Sequence, residues 1–365
     1  MNKRIFALAT VALASVIVLA GCGGRNTERS QGKTDLNAAL VLGNDGVDDR
    51  SFNQSAWEGL QAWGKDNGLS KGKGINYFQS NSPAEFTSNF NSAVSGGYDL
   101  VFSIGFVLQE ATSQAAQNNP DTKFAVIDSV IEGKDNVVSA TFADQQSAYL
   151  AGVAAAKTSK TNHVGFIGGI KSDVLAAFET GFTAGAKSVS PDIKVDVQYA
   201  QSFTDAGKGK TMASAMYASG ADVIYQAAGS VGTGLFTEAK NLNETRKEED
   251  KVWVIGVDQD QEYLGGYTSK DGKKSNFVLV STVKEVGNAV KDIANRTEKG
   301  KFPGGEKLKY DLSNGGVTLA RDNASDEAWK AVEAAKADIV SGKIKKGYER
   351  YTLFSISVSQ KKAME

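Results

Sequence analysis

The chain has 365 residues, 41% hydrophobic and 23% charged, with a mean hydropathy of −0.29, a soluble globular composition long enough for two domains. Lysine and arginine number 41 against 42 Asp and Glu, a net charge of −1, which argues against nucleic acid as a partner, since that needs a clustered basic face. One histidine, His163, and one cysteine, Cys22, exclude an intrachain disulfide and a Cys/His zinc site.

Met1 to Ala20 reads as an export signal. Lys3 and Arg4 form its positive start, and Phe6 to Ala20 is an apolar run, short for a membrane span. It ends in Leu19-Ala20-Gly21-Cys22, which resembles the bacterial lipobox, whose cysteine becomes the lipidated first residue. A signal peptide over 1–21 and a lipidated Cys22 with a flexible polar tether over 22–36 are therefore expected. That organisation holds a protein on the outer face of the cell membrane.

The body alternates strands and helices. Ala38 to Leu42 predicts a strand, and Phe52, Ala56, Leu60 and Trp63 mark one face of a helix over 51–67. Ile75 to Phe78 follows as a strand, then a helix over 83–95 with Ser82 as its N-cap and Pro83 at its first position. Strand 100–104, helix 107–118 and strand 123–128 complete the first half. The rhythm repeats with helices over 146–159, 174–188, 206–219 and 234–243 and strands over 164–168, 194–199, 223–225 and 252–257. A strand over 277–282, a helix over 284–299 and a helix over 325–341 capped by Ser325 come last, before a weakly ordered tail. Near-continuous apolar strands between helices indicate parallel sheets covered on both faces. The fold class expected is α/β, with two doubly wound parallel-sheet domains joined by a hinge. One lobe takes 37–144 plus about 277–318, the other 145–276 plus about 319–345, and 346–365 forms the tail. The crossings near Asp144 and Val278 supply the hinge.

Ligands of open parallel sheets bind beyond the carboxyl ends of the strands. The residues there are carboxylates, amides, glycines, aromatics and one lysine, which suits a polar ligand carrying a flat ring. Phosphate would need Arg or Lys and a helix N-terminus free of carboxylates. Gly209-Lys210-Thr211 echoes a phosphate loop, but Thr204 stands where its first glycine belongs. His163 reads as a surface residue. Asp48 and Asp49 suit a helix N-terminus as well as a ligand, and Phe52 suits a core as well as a stack.

The run Asp48-Asp49-Arg50-Ser51-Phe52-Asn53-Gln54-Ser55-Ala56-Trp57-Glu58-Gly59 resembles the first-loop signature of the basic membrane protein family, in its purine nucleoside receptor branch. Ser103 to Phe106, Phe124 to Asp128, Phe142 to Asp144, Phe166 to Gly169, Phe178 to Phe182, Val254 to Asp258 and Ser281 to Lys284 resemble it in order. The resemblance implies a type I periplasmic-binding-protein fold. It also implies capture of nucleosides for an ABC importer, without cofactor, metal or catalysis, by a monomer that meets a membrane permease. Position by position, it implies that Phe52 stacks on the base, with Asn53 beside it and Asp128 lining the base side. Asp258 and Lys284 hold the ribose, Gly229 lets backbone approach, and Phe178 or Tyr225 closes the other ring face. Phe106 and Asp48 complete the site. Relatives carry an acid nine residues before the stacking ring; this chain has Gly43 there, with Asn44 and Asp45 after it. A sugar receptor of the same fold and an enzyme using Asp128 and Asp258 as paired carboxylates are the alternatives.

Overall fold

A computed structural model describes residues 33–344. The export signal, Cys22, most of the tether and the 346–365 tail lie outside the described residues. The tether ends sooner than expected. Lys33 N donates to the Asn67 carbonyl at 2.9 Å, and Leu36 packs on the core.

The first half runs β1 (Ala38–Leu42), α1 (Phe52–Asp66), β2 (Ser70–Lys71), β3 (Gly74–Gln79), α2 (Phe86–Ser95), β4 (Leu100–Ile104), α3 (Gln109–Asn118), β5 (Lys123–Ile127) and β6 (Val137–Phe142). The second runs α4 (Asp144–Thr158), β7 (His163–Gly168), α5 (Asp173–Val189), β8 (Lys194–Tyr199), α6 (Ala206–Ala218), β9 (Val223–Ala227), α7 (Ser230–Glu244) and β10 (Trp253–Asp258). A hairpin of β11 (Gly266–Thr268) and β12 (Lys274–Asn276) leads to β13 (Val278–Lys284), α8 (Val286–Glu298), β14 (Lys307–Tyr310), β15 (Val317–Ala320) and α9 (Asp326–Val340).

Lobe one holds a parallel sheet in the order β14-β6-β5-β4-β1-β3-β2. Lobe two holds β15-β13-β10-β9-β7-β8, parallel except for β15. Helices cover both faces, so each strand splits its side chains between two cores. In β1, Ala38, Leu40 and Leu42 join the core that includes α1 and α8, and Ala39 and Val41 join the one under α2 and α3. That is the period of two expected of a strand. In lobe two, α4 and α5 approach closely because Gly185 has no Cβ, which would strike the Tyr149 carbonyl.

Several expectations are corrected. The apolar run at 278–284 is a central strand of sheet two, paired with β10, so lobe one regains the chain only after Lys284, not at 277. Lys284 accordingly ends a strand instead of opening a helix. Ser82 makes no side-chain cap; Pro83 opens a single 3-10 turn before α2. Ser325 does cap, accepting from Ala328 N. His163 is buried at the start of β7. β6, β14 and β15 carry no strand expectation.

The chain crosses between lobes three times: after Phe142, after Lys284 and after Tyr310. The connectors lie side by side. Ala143 N donates to Tyr310 O at 2.8 Å and Glu285 N to Gly316 O at 3.0 Å. The rings of Phe142 and Tyr310 stack with centroids 5.1 Å apart.

Candidate functional site

The carboxyl ends of both sheets face one cleft, as the topology requires. Between the lobes lies a cavity of about 110 Å³, far above the roughly 10–15 Å³ that one water needs. Asn44, Asp45, Phe52, Asn53, Phe106 and Asp128 line it from lobe one. Phe178, Gly229, Asp258 and Lys284 line it from lobe two and the second connector. Tyr225 and Asp48 do not line it. Tyr225 sits mid-strand in β9, fully buried among Phe166, Phe178 and Phe182, its hydroxyl 2.9 Å from Thr282 Oγ1. Of the two candidates for the second ring face, Phe178 alone reaches the cavity. Asp48 is exposed, and its neighbour Asp49 lines the cavity instead.

Asp49 organises the entry to α1. Its carboxylate accepts from Ser51 N and Asn53 N at 2.9 Å and from Gln54 N at 3.0 Å. These are donors a helix start leaves without partners. Burial raises the Asp49 carboxyl, and those three N–H groups pull it back. The same cap presents Phe52, the first residue of α1, to the cavity.

Lys284 is the electrostatic centre. Its ammonium is 3% exposed and lies 2.6 Å from Asp128 Oδ2 and 3.1 Å from Asp144 Oδ2. It also stands 5.3 Å from the Phe52 ring centroid and 5.5 Å from that of Phe178, within cation–π range. Burial works against the charged lysine, but Asp128, Asp144 and Asp258 outweigh it and hold its pKa above the ordinary value. Asp144, expected at a lobe crossing and given no place in the site, opens α4. Its Oδ1 is buried without a partner, and burial raises its pKa despite Lys284. Burial also lifts Asp258 to about 6, against Lys284 and the Ser51 hydroxyl that pull it down. Asp45 is pushed to about 7 by burial and then by Asp49.

One ammonium thus faces more carboxyls than it can neutralise. Such a cavity repels phosphates and welcomes a ligand rich in hydroxyl or N–H donors. Among the described residues no group of three or more His, Cys, Asp or Glu is disposed to hold a metal ion. Phe203, in the loop after β8, is a wall residue the sequence reading overlooked; its ring meets Phe106 edge-on across the cleft at 6.3 Å. The end of β8 was the one signal for it. Gly229 has φ +55°, and a Cβ there would lie 2.7 Å from Asp45 Oδ2. Only glycine lets the lobes meet at that point.

Two doubly wound lobes, three connectors and a cleft lined from both sides define a type I periplasmic-binding-protein fold. Among solved structures, one of the ABC transporter system solute-binding proteins from Aeropyrum pernix K1 superposes with a TM-score of 0.73 at 26% identity, covering 85% of this chain and 92% of that one. Residues 37–349 match the model of the Bmp family, described as ABC transporter substrate-binding protein PnrA-like, and the chain belongs to that family. It is 64% identical to the "ABC transporter nucleoside-binding protein BmpA" of Lactococcus lactis subsp. cremoris, over 94% of this chain and 99% of the relative. Basic membrane protein A of Borreliella burgdorferi is 32% identical over 96% and 98% of the two chains. Among the described residues no helix is long and apolar enough to cross a membrane.

Proposed function

We propose that this protein is the nucleoside receptor of an ABC importer, held outside the cell membrane by a lipid on Cys22 and working as a monomer that delivers its ligand to a membrane permease. The observation that carries the reading is the convergence of Phe52, Asp258 and Lys284 on one cavity between the lobes. On this reading Phe52 and Phe178 hold the two faces of the base. Asn44, Asp45, Asn53 and Asp128 meet its edge, with Phe106 at the rim. Asp258 and Lys284 take the ribose hydroxyls, and Gly229 lets the backbone close over them. A purine fits this wall of rings best. The name of the lactococcal relative, a nucleoside-binding protein, agrees with a nucleoside ligand.

Sugar capture is the neighbouring possibility, and the four aromatic walls favour a heterocycle over it. An enzyme with Asp128 and Asp258 as its acid pair is disfavoured because both are engaged. Asp128 Oδ2 is held by Lys284, and Asp258 Oδ2 accepts from Ser51 Oγ. Calorimetry with inosine, guanosine, adenosine, cytidine, uridine and ribose tests the reading. Tight binding of nucleosides but not of ribose supports it, and binding of ribose alone refutes it. Recovery of unchanged nucleoside after long incubation separates receptor from enzyme. Palmitate labelling that disappears in Cys22→Ser tests the anchor.

A further inference from the structure

Among the hydrogen bonds that join the lobes through space, two meet at the loop that precedes α1. Ser51, just before α1, donates its Oγ to Asp258 Oδ2 at the end of β10, 207 positions along the chain. Gln261 Nε2 donates to the Arg50 carbonyl at 2.9 Å, 211 positions away. Residues 50–51 of lobe one thus dock on residues 258–261 of lobe two.

Each end is anchored in its own lobe. The Asp49 carboxylate takes Ser51 N, so the loop is tied to α1. Gln261 Oε1 accepts from Val257 N and Gln226 Nε2, both at 3.0 Å, and Gln261 N donates to Ser281 Oγ at 3.1 Å. Both latch side chains are removed from water, Ser51 at 0% and Gln261 at 3% exposure. Among the described residues Ser51 is the one side chain that hydrogen-bonds Asp258. Its other carboxylate oxygen, Oδ1, accepts no hydrogen bond from the described residues.

We infer that Ser51 is a positioning residue for ligand capture: from the opposite lobe it holds one oxygen of Asp258 so that the other is presented to the cavity when the lobes meet. Gln261 and Arg50 form the second half of the same latch. The inference rests on the nucleoside reading above, which puts Asp258 on the ribose. Its physical basis is that a carboxylate rotates freely when hydrated but has one orientation when a buried hydroxyl fixes one oxygen. When the lobes part, Asp258 loses this partner, so closure and the readiness of the carboxylate become one event.

The test uses the full chain and the same nucleoside panel. Ser51→Ala should weaken binding of the preferred nucleoside about tenfold, and Ser51→Thr should restore it to within about threefold. Asp258→Asn should weaken it more, and the double variant should be no weaker than Asp258→Asn alone, because the two residues act in series. Wild-type affinity in Ser51→Ala, or losses that multiply in the double variant, overturns the inference. A second arm reads the carboxylate itself in the closed form, at saturating nucleoside. The Asp258 carboxyl, assigned in a carbon NMR titration by its absence from Asp258→Asn, should titrate higher in Ser51→Ala than in the wild type, because the hydroxyl that favours its ionised form is gone. Nucleoside binding with an unmoved titration overturns the latch alone. If no nucleoside binds the wild type, the receptor reading falls and the role of the latch in capture falls with it.

Discussion

Lys284→Met replaces the buried ammonium with a thioether of similar length and leaves the packing largely in place. The charge balance does not survive. Asp128 and Asp144 lose a partner at 2.6 and 3.1 Å, and Asp258 loses the cation that holds its pKa down. Removing one member of a buried ion pair costs about 3–5 kcal/mol, because the charge left behind has no compensation. At about 2–4 °C per kcal/mol for a lobe of 150–250 residues, the melting temperature should fall by roughly 6–20 °C at pH 7.5. The pH dependence gives the sign. Without Lys284 the folded-state pKa values of Asp144 and Asp258, already raised by burial, rise further above the unfolded value near 3.9. A group raised in the folded state contributes stability below its unfolded pKa and loses it as pH climbs through the folded one. The deficit of Lys284→Met should therefore shrink as pH falls from 8 to 5. Thermal unfolding of both proteins across that range measures it. A variant that melts within 2 °C of wild type at about pH 7.5, or whose deficit grows on acidification, would refute the assignment of Lys284 as the counter-charge of the cluster.

Phe52→Ala should weaken nucleoside binding by about 10- to 100-fold, since one base–aromatic stack is worth about 1–3 kcal/mol; an unchanged calorimetric Kd removes Phe52 from the base. Gly229→Ala puts a Cβ 2.7 Å from Asp45 Oδ2 at a φ of +55°. It should cost about 1–3 kcal/mol of stability and weaken binding, and a variant with wild-type melting and affinity counts against the close approach. Binding should also depend on pH. Burial lifts Asp258 to about 6, and the proposed complex has a ribose hydroxyl donating to its ionised form, so affinity should rise as pH passes through about 6 and flatten above. Calorimetry at pH 5 and 7.5 checks this, with weaker binding expected at pH 5 and an inverted profile as the contrary result.

Much of this was legible because the strands are short apolar runs and the strand-end rule needs only their last residues. Phe106, Asp128, Gly229 and Asp258 each follow or end such a run, and all four meet in the cleft. Tyr225 was misplaced for the opposite reason. It is two residues too early: within β9 the side chains of Val223 and Tyr225 join the core, and the strand reaches the cleft only at its last residue, Ala227. Lys284 was assigned to a helix, yet its position at the end of β13 is what puts it in the cavity. β14, Lys307 to Tyr310, is an edge strand that alternates lysine with apolar residues, a pattern weaker than the runs at the centre of the sheet. Ser51 and Asp144 lie inside motifs that carry the resemblance, yet nothing local in the sequence names the partner of either. Their roles come from partners 207 and 140 positions away, and such pairings are set by how the lobes meet.

The placement of the charges also says which contacts a moving cleft can keep. Asp128 follows β5 and Asp258 ends β10, both with left-handed backbone, φ +64° and +67°, a conformation Asp tolerates better than most residues. Each lobe thus ends the equivalent strand with a carboxylate turned to the cleft. Lys284 and Asp144 are different, because they sit on two of the three connectors. Rotation of the lobes about the connectors would move connector residues least, so the pair between Lys284 and Asp144 should persist while the contact of Asp258 with Ser51 is made and broken. On that view this pair is the pivot, and Asp258 is the carboxylate that registers closure. In a carboxyl titration, Asp144 should keep the same midpoint with and without a saturating nucleoside, whereas the Asp258 midpoint should drop on binding, as its ionised form gains a hydroxyl donor. If Asp144 shifts as far as Asp258, the pivot is not fixed and the lobes do not turn about this pair.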